Sequence, residues 1–520
     1  MKKLASFLLI AAILSAFSAC GSGETSPNGE ILGGDSFGAL SEKSNPSDNN
    51  VSSRENSAAA SVSSNGQNPA SDEKPAVISL AEEENVGGLR MLHSGGCFDC
   101  SDAVCYTDRG YYHIGIYGES EYMCLLYFDF ATLSEIVVCS DSSCKHDNIN
   151  CAAVFSWDEF MSCHLFVSGD YLYCLNAQYD QDGQMSAWEV YIADGVGEYV
   201  EKRRSSLYRM KLDGTEREKL WQADEGDILE TVAFEDESGL WFVTKTPAAE
   251  KHEGTGAIYY HSKNRALMKY GFSEKAITER IPLDNYNNIV LNLAGGFGDK
   301  FILYGKAYPG GGSVMDNMDI LAPGEEVGSI HPDYWDFNNR CELVFFTLDR
   351  KTKEMKEFFR RPFSEISYGF DILGDKLYLS RKDNTMFTLN ILTGDTQEIN
   401  IPKDYEFMRI FGGKLMLLHI TPDWSDHAMY FTELDGSGMT KSDLMMKKYD
   451  MRDMRIELCA AVGDKALVIY DEDRVPSQYN PDAYSSITPL YALISLDDLF
   501  NGRANYEPFA TAGGGKTYAG

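Results

Sequence analysis

Basic residues are scarce in this chain of 520 residues, where 46 lysines and arginines stand against 79 aspartates and glutamates. The resulting net charge of −33 excludes nucleic acid and anionic lipid headgroups as partners, because both are bound through basic surfaces. The charge names no partner by itself, since an acidic surface also serves simply to keep a protein in solution.

Local motifs of several enzyme classes are also missing. Within residues 80–520 there is no Gly-x-Ser-x-Gly elbow, no His-Glu-x-x-His motif, no Gly-x-x-x-x-Gly-Lys-Ser/Thr phosphate loop and no dinucleotide fingerprint. We interpret the acidic pairs Asp236 and Glu237, and Asp471 and Glu472, as solvated turns. The sequence therefore favours a non-enzymatic role, although catalysis does not require a local motif.

Long apolar runs are few. One extends from Leu4 to Phe17 behind Met1-Lys2-Lys3, and no other reaches the about 18 residues that span a bilayer. A basic start followed by so short an apolar run is typical of an export signal. The run leads into Phe17-Ser18-Ala19-Cys20-Gly21. This segment resembles the lipobox of bacterial lipoproteins, although Phe17 replaces the usual leucine.

The resemblance to a lipobox implies that residues 1–19 form a signal peptide and that Cys20 carries acyl chains. Two acyl chains give stable anchoring, so the resemblance implies a place on the cell membrane, facing the extracytoplasmic side. The alternative is an ordinary signal peptide followed by an incidental cysteine. Residues 20–79 are rich in small and polar residues, which predicts a disordered tether of roughly 40 Å r.m.s. reach.

A short signature recurs through residues 80–520. It consists of an apolar strand, a turn with glycine and often aspartate, and a second strand of alternating apolar and aromatic residues. Glycine suits the positive φ of tight hairpin turns, and the period of two marks half-buried strands. Two further strands follow each copy. The turn glycines are Gly110, Gly169, Gly239, Gly298, Gly374, Gly412 and Gly463.

Like units of four antiparallel strands, without helical periodicity between them, are typical of a β-propeller. The sequence therefore predicts an all-β fold, a β-propeller of seven four-stranded blades, with six or eight as alternatives. Elements such as Gly374-Asp375-Lys376-Leu377-Tyr378 are similar to repeats of the TolB-like and low-density-lipoprotein-receptor-like propellers, found in uncharacterised membrane lipoproteins of clostridial-type bacteria. The Tyr-Trp-Thr-Asp tetrapeptide of the receptor propellers is absent, so the resemblance implies no ligand.

Unequal spacing of the turn glycines predicts insertions between the second and third strands of four blades, at residues 178–204, 247–265, 307–340 and 473–489. Such connections emerge on one face of a propeller. Their amphipathic rings suit recognition of a protein, peptide or glycan; alternatively, the rings fold the insertions onto the rim. The candidate ligand-binding residues are Tyr179, Trp188, Tyr191, Tyr259, Tyr260, Tyr308, Tyr334, Trp335, Tyr479 and Tyr484.

The expected function is that of a cell-surface, lipid-anchored module that binds an unknown protein, peptide or glycan ligand or acts as a scaffold. The alternative is a carbohydrate-active enzyme, a glycosidase or lyase, with acids at the channel mouth. Two carboxyl groups about 5–10 Å apart would favour that enzyme. The segment Asp180-x-Asp182-Gly183 starts like a calcium loop but lacks its later acidic ligands, so we interpret it as an exposed turn. The oligomeric state does not follow from the sequence.

Cysteines are concentrated early in the propeller, with nine of the twelve between Cys97 and Cys174. The densest part, with Cys139, Cys144, His146 and Cys151, resembles an element that follows the first blade in the same clostridial lipoproteins. Three thiolates and one imidazole can close a tetrahedral shell, for which zinc is the usual metal. Outside the cytoplasm thiols also oxidise. The candidate disulfide partners are Cys97, Cys100, Cys105, Cys124, Cys163 and Cys174. One structural zinc ion, disulfides and free thiols are thus alternatives, and either of the first two would pin the link between blades 1 and 2.

Overall fold

Seven antiparallel sheets of four or five strands follow one another along the described residues in a computed structural model of the protein. They confirm the all-β fold and the propeller of seven blades predicted from the repeat. Residues 1–87, with Cys20 and the predicted tether, lie outside the described residues. The structure describes residues 88–511 except 93–103, 118–122, 142, 149, 156–162, 180–188, 194–195, 201–202, 225–226, 252–257, 285, 313–333, 422–425, 448–452 and 477–483.

Blades 1 to 4 each contain four strands in sequence order from one edge to the other. Blade 1 contains β2 (Val104–Tyr106), β3 (Gly110–Ile116), β4 (Met123–Asp129) and β5 (Ser134–Val137), with β6 (Val154–Phe155) also paired to β4. Blade 2 contains β7 (His164–Ser168), β8 (Tyr171–Tyr179), β11 (Arg203–Lys211) and β12 (Glu218–Gln222). Blade 3 contains β13 (Ile228–Asp236), β14 (Gly239–Lys251), β15 (Ile258–Gly271) and β16 (Ala276–Pro282). Blade 4 contains β17 (Leu291–Phe297), β18 (Lys300–Ala307), β19 (Glu342–Asp349) and β20 (Met355–Pro362).

Blades 5 to 7 repeat the pattern. Blade 5 contains β21 (Ile366–Leu373), β22 (Lys376–Arg381), β23 (Met386–Asn390) and β24 (Thr396–Ile399). Blade 6 contains β25 (Tyr405–Phe411), β26 (Lys414–His419), β27 (Met429–Thr432) and β28 (Thr440–Ser442). Blade 7 contains β31 (Glu457–Val462), β32 (Lys465–Pro476), β33 (Tyr484–Ser495) and β34 (Glu507–Pro508). The other elements are β1 (Arg90–Leu92), the hairpins β9 (Glu189–Ala193) with β10 (Val196–Val200) and β29 (Met445–Lys447) with β30 (Asp453–Arg455), a 3-10 turn (Pro309–Gly311), α1 (Tyr334–Arg340) and α2 (Leu496–Phe500).

The hydrophobic core is a ring of interfaces between blades. First strands of successive blades contact one another, as β2 does with β7 and β21 with β25, so the first strands surround the central channel. Apolar side chains of neighbouring blades form the buried clusters, and Trp241 of blade 3 packs on Phe301 of blade 4 with ring centroids 5.2 Å apart. Each blade is therefore stabilised by burial against two neighbours rather than within itself.

The turn glycines of the repeat serve two different purposes. Five of them, such as Gly169, have φ between 55° and 59°, as the hairpin prediction requires. Gly110 and Gly239 do not adopt positive φ. A Cβ atom there would lie 2.3 Å from a backbone carbonyl oxygen of the third strand. At these two positions glycine is required by the close approach of a strand.

The sequence interpretation of Asp236 as a solvated turn residue is wrong. Asp236 is only 3% exposed, and its carboxylate accepts hydrogen bonds from Trp241 Nε1 (2.8 Å) and Lys269 Nζ (2.9 Å). Arg350, which reaches over from blade 4, donates to it through Nη1 at 2.6 Å. Its neighbour Glu237 is exposed as expected. Asp236 is thus a buried link between two blades.

The second acidic pair is not in a turn either. Asp471 and Glu472 lie within β32, because its hairpin with β33 continues as far as the pairing of Pro476 with Tyr484. Asp471 is exposed, but the Glu472 side chain is only 10% exposed and pairs with Arg474 at 3.1 Å. The acidic residues here belong to a long insertion strand.

A strand that belongs to no blade lies in the channel. β1 pairs antiparallel with β13, the first strand of blade 3, so that Arg90 lies opposite Glu235 and Leu92 opposite Ala233. β1 also contacts β7 and β17 of the adjacent blades. Leu89 and Leu92 are each 3% exposed and belong to the cores on either side of blade 3. Residues 88–92 therefore lie in the channel before blade 1 begins.

Truncation of Leu92 to alanine is expected to lower the free energy of unfolding by about 2–5 kcal/mol, as for other buried leucines. It should also speed cleavage by trypsin after Arg90, because local opening of β1 exposes that bond. Met91, which is 38% exposed on the same strand, supplies the control Met91→Ala, with little expected effect. Equal cleavage rates in the two variants would show that β1 is not held by Leu92.

The ring closes through the C-terminal end of the described chain. Ala510 donates to the carbonyl of Leu133 and accepts from the amide of Glu135, each at 2.9 Å, at the outer strand of blade 1. Phe509 packs on Phe128 with centroids 4.7 Å apart. Because β34 belongs to blade 7, the same segment joins the last blade to the first.

Within the described residues, no helix has both the length and the apolarity to cross a membrane.

Candidate functional site

The two faces of the propeller differ in their connections. Because the strands of each blade are antiparallel, connections between second and third strands emerge at the same end as the links between blades. The insertions lie at four of those connections. The connections between β8 and β11 and between β18 and β19 are long, whereas in blades 3 and 7 the strands β14, β15, β32 and β33 extend to 12–14 residues. We name this end the insertion face. The opposite end, with the hairpins between first and second and between third and fourth strands, is the turn face.

The predicted aromatic residues belong to these four connections. Tyr179, Tyr191, Tyr259, Tyr260 and Tyr484 lie on strands that extend into the insertions, and Tyr334 begins α1. Trp188 and Tyr479, together with the turn Asp180-x-Asp182-Gly183, lie outside the described residues. The β9–β10 hairpin of blade 2 contacts β14 of blade 3, so two neighbouring insertions meet.

Two of the predicted ligand-binding side chains differ in exposure. Tyr308 is half-buried, stacks on Phe337 with centroids 6.1 Å apart and lies under the Lys306 ammonium. It therefore follows the alternative in which rings fold an insertion onto the propeller. Trp335 is 49% exposed. Val290 and Met445, which are also exposed, lie on links at the same face. The insertion face thus presents apolar side chains to solvent.

A polar cluster on this face was not found from the sequence. His419 ends β26, and its Nδ1 and Nε2 lie 3.0 Å from Asp426 and 3.2 Å from Asp404. Tyr430 donates to Asp426 at 2.8 Å, and Tyr405 stacks on the imidazole with centroids 4.9 Å apart. Burial raises the pKa of Asp426, but its hydrogen bonds outweigh burial and hold the pKa below its usual range. The five residues are scattered in sequence, so no local signal reveals them.

The predicted cysteine and histidine residues do converge. Cys139, Cys144, His146 and Cys151 lie on the loop between β5 and β6, and their ligand atoms are all within 4.8 Å of one another. This loop continues the outer edge of blade 1 toward the link to blade 2. Cys151 is buried and the other three are half-buried. The cluster could hold a metal ion.

Two distances in the cluster are close to those of a tetrahedral shell. Cys139 Sγ and Cys151 Sγ are 3.8 Å apart, and His146 Nδ1 is 3.4 Å from Cys151 Sγ. Zinc–sulfur and zinc–nitrogen bonds of about 2.3 and 2.0–2.1 Å at tetrahedral angles place two sulfurs about 3.8 Å apart and sulfur and nitrogen about 3.6 Å apart. A disulfide would require about 2.0 Å between sulfurs and would use no imidazole. These two contacts are therefore compatible with a metal ion held by the four residues.

Short-range hydrogen bonds hold the loop in this shape. The Asp141 carboxylate accepts from the amide and hydroxyl of Ser143, at 2.9 and 2.7 Å, and the Asp141 carbonyl accepts from the amide of Cys144. His146 adopts φ of 56°, which turns the chain back toward the blade. Cys124 of β4 donates to the His146 carbonyl at 3.9 Å. Burial raises the pKa of Cys124 to about 11, so this thiol supports the loop as a neutral donor.

Comparisons with known proteins add little beyond the fold. Neither a protein-family model nor a curated protein matches the sequence. Among solved structures, oligogalacturonate lyase from Vibrio parahaemolyticus is 10% identical, over 66% of this chain and 86% of that one, with a TM-score of 0.34. TolB from Acinetobacter baumannii is 9% identical over 78% and 80% of the chains, with a TM-score of 0.28. An uncharacterised protein from Listeria monocytogenes is 8% identical over 65% and 86%, with a TM-score of 0.32. Similarity this low carries no argument about activity.

Proposed function

We propose that this protein is an exported, lipid-anchored propeller, of the kind found in clostridial-type membrane lipoproteins, that binds a protein, peptide or glycan through its insertion face. The observation that carries the proposal is the placement of four separate insertions on one end of the ring. Connections that only join strands do not need this length, since hairpin loops of two to five residues suffice. Exposed Trp335 on one insertion is suited to a ligand anchor.

The direction of β1 supports this use of the insertion face. Gly88, at the start of the described chain, lies beside Glu237 in the turn between β13 and β14. That turn belongs to the turn face, so the described chain enters the propeller at the end opposite the insertions. The insertion face is left free for a ligand.

We also propose one structural zinc ion at Cys139, Cys144, His146 and Cys151. The support is the donor set, which zinc prefers, and distances that fit its bond lengths. With four protein ligands the shell has no open position, which is the arrangement of structural rather than catalytic zinc. Zinc here would fix the link between blades 1 and 2.

Two matched variants test the binding proposal. Trp335 lies on the insertion face and Leu392 in a hairpin of the turn face, and they are 49% and 53% exposed. The full chain in detergent would be titrated with a set of soluble cell-wall and plant polysaccharides and with a peptide library. We expect Trp335→Ala to weaken binding of a selected probe at least about tenfold, which corresponds to 1.4 kcal/mol. Leu392→Ala should leave it unchanged, and equal loss in both variants would contradict the proposal.

A carbohydrate-active enzyme is the second candidate function, because of the cluster around His419. Asp404 and Asp426 flank one imidazole beside Tyr405, on the insertion face and away from β1 in the channel. A carboxylate and an imidazole in contact can act as general acid and base. The same polysaccharides would be assayed for new reducing ends or unsaturated products. Product formation that is abolished in His419→Ala would establish that the protein is an enzyme. Binding of a polysaccharide without product formation would support the binding module instead.

A further inference from the structure

A pair of buried sulfur atoms lies outside the proposed zinc site. Cys163 and Cys174 have their Sγ atoms 3.0 Å apart and are 3% and 0% exposed. Carbon atoms in contact pack at about 3.5–4.0 Å, and sulfur is the larger atom, so this approach is closer than ordinary packing. A disulfide places its sulfurs about 2.0 Å apart. The two sulfurs are therefore about one ångström from bonding distance.

The strands of blade 2 present the two side chains to each other. Cys163 immediately precedes β7, and Cys174 lies in β8, where it pairs with Leu165. Residues two apart on a strand share a face of the sheet, so Cys163 lies on the same face as Leu165 and diagonally opposite Cys174. Because Cys163 precedes the paired residues of β7, a small backbone shift there together with side-chain rotation can bring the sulfurs to bonding distance.

We propose that Cys163 and Cys174 form a disulfide in the mature protein, distinct from the metal cluster. The proposal rests on the proposed export, because disulfides persist outside the cytoplasm. The thiolate of one cysteine attacks an oxidised thiol oxidoreductase or a small disulfide, which releases one thiol. The second cysteine then attacks the mixed disulfide and releases the other thiol. Two electrons and two protons thus pass from the protein to the oxidant.

The third sulfur of this region is less suited to react. Cys105 of β2 is completely buried, and burial, with Cys174 nearby, raises the pKa of its thiol well above the usual value. A thiol that stays protonated is a poor nucleophile in disulfide exchange. The pair therefore connects the first two strands of blade 2 and leaves Cys105 as a packed core residue.

Digestion before aspartate reads the pairing directly. Every cysteine after Cys20 falls in a different peptide with this cleavage, and Asp158–Gly169 carries Cys163 while Asp170–Tyr179 carries Cys174. The full chain, purified from membranes with free thiols alkylated, would be digested without reduction and analysed by mass spectrometry. We expect these two peptides linked in more than nine-tenths of the material. Cys341 and Cys459, buried in other blades, should appear alkylated as the internal control.

A second preparation separates failure of the pairing from failure of export. The chain without residues 1–20 would be made in the cytosol and then incubated with oxidised glutathione. Linkage in both preparations supports the proposal, and Cys163→Ser should remove it and leave Cys174 alkylated. Linkage only after oxidation in vitro would keep the pairing but overturn its occurrence in the mature protein, and with it the export. Unlinked peptides in both, or linkage of either cysteine to Cys105, would overturn the pairing itself.

Discussion

Replacement of Asp236 by alanine is expected to lower the free energy of unfolding by about 3 kcal/mol, the lower end of the range for breaking a buried ion pair, because Arg350 keeps its bond to Asp299. The Asp236 side chain is fully buried, whereas those of Lys269 and Arg350 are 11% and 6% exposed. Removal of the carboxylate leaves both cations and the Trp241 indole without it. Urea unfolding followed by tryptophan fluorescence would measure the change.

The control for this variant is the neighbouring residue. Glu237 also approaches Arg350, at 3.4 Å, but its side chain is 70% exposed, and exposed ion pairs contribute little. Glu237→Gln should therefore unfold at nearly the wild-type urea concentration. Asp236→Asn keeps the shape of the side chain and can still accept a hydrogen bond from Trp241. Its urea concentration of unfolding should lie between those of Asp236→Ala and Glu237→Gln. If Asp236→Ala also unfolded at the wild-type concentration, the carboxylate would not join the blades.

The same carboxylate makes stability depend on pH. Burial raises the pKa of Asp236, but hydrogen bonds from Trp241, Lys269, Ser238 and Arg350 outweigh it and hold the pKa well below its usual range. Because the folded-state pKa is depressed, the contribution is complete above the ordinary aspartate pKa of about 3.9 and is lost as the pH falls below it. Wild type should thus lose more stability on acidification than Asp236→Ala, and parallel pH curves would contradict this.

Replacement of Cys151 by serine is expected to lower zinc from about one ion per chain to none at micromolar metal. The loss should exceed the 10- to 100-fold fall in affinity that follows removal of an outer-shell partner, because Cys151 would be a direct ligand. Thermal unfolding should shift downward in the variant, since metal that binds only the folded state stabilises it. Elemental analysis of dialysed protein measures the metal, and a strong chelator should reproduce the thermal shift in wild type.

Cys459 supplies the matched control for the zinc experiment. It is 4% exposed, close to the 7% of Cys151, and lies in blade 7. Cys459→Ser removes the same atom from a similar environment and should keep the zinc. A wild-type protein without bound metal, in which Cys139, Cys144 and Cys151 are found in disulfides, would contradict the zinc proposal.

The fold was predictable because the repeat is local. Each hairpin has its own glycine turn and alternating strands. A turn residue such as Gly298 therefore predicts a blade from the local sequence alone. The strand β1 was missed because its partner β13 lies more than a hundred residues further along the chain. Three residues with one buried leucine have no periodicity to detect. The pairing of β1 depends on the channel that the assembled blades form.

The candidate sites also differ in how far apart their residues lie in the sequence. Cys139, Cys144, His146 and Cys151 are close in sequence, so their convergence could be expected before their geometry was known. The contacts of Asp236 and of His419 depend on residues from other strands or the next blade. Such contacts follow from blade packing and leave no spacing in the sequence. The chain has 79 acidic residues, so the sequence does not indicate which of them belong to a site.

The antiparallel pairing of β1 with β13 has a mechanical consequence. Tension on the chain before Gly88 would act along the axis of β1, since the strand runs through the channel from the turn face. A load in that direction shears the hydrogen bonds of Arg90–Leu92 together instead of opening them one after another. The leucines on either side would have to leave two blade interfaces at once. β1 should therefore resist removal from the propeller best when the pull is directed along the strand axis.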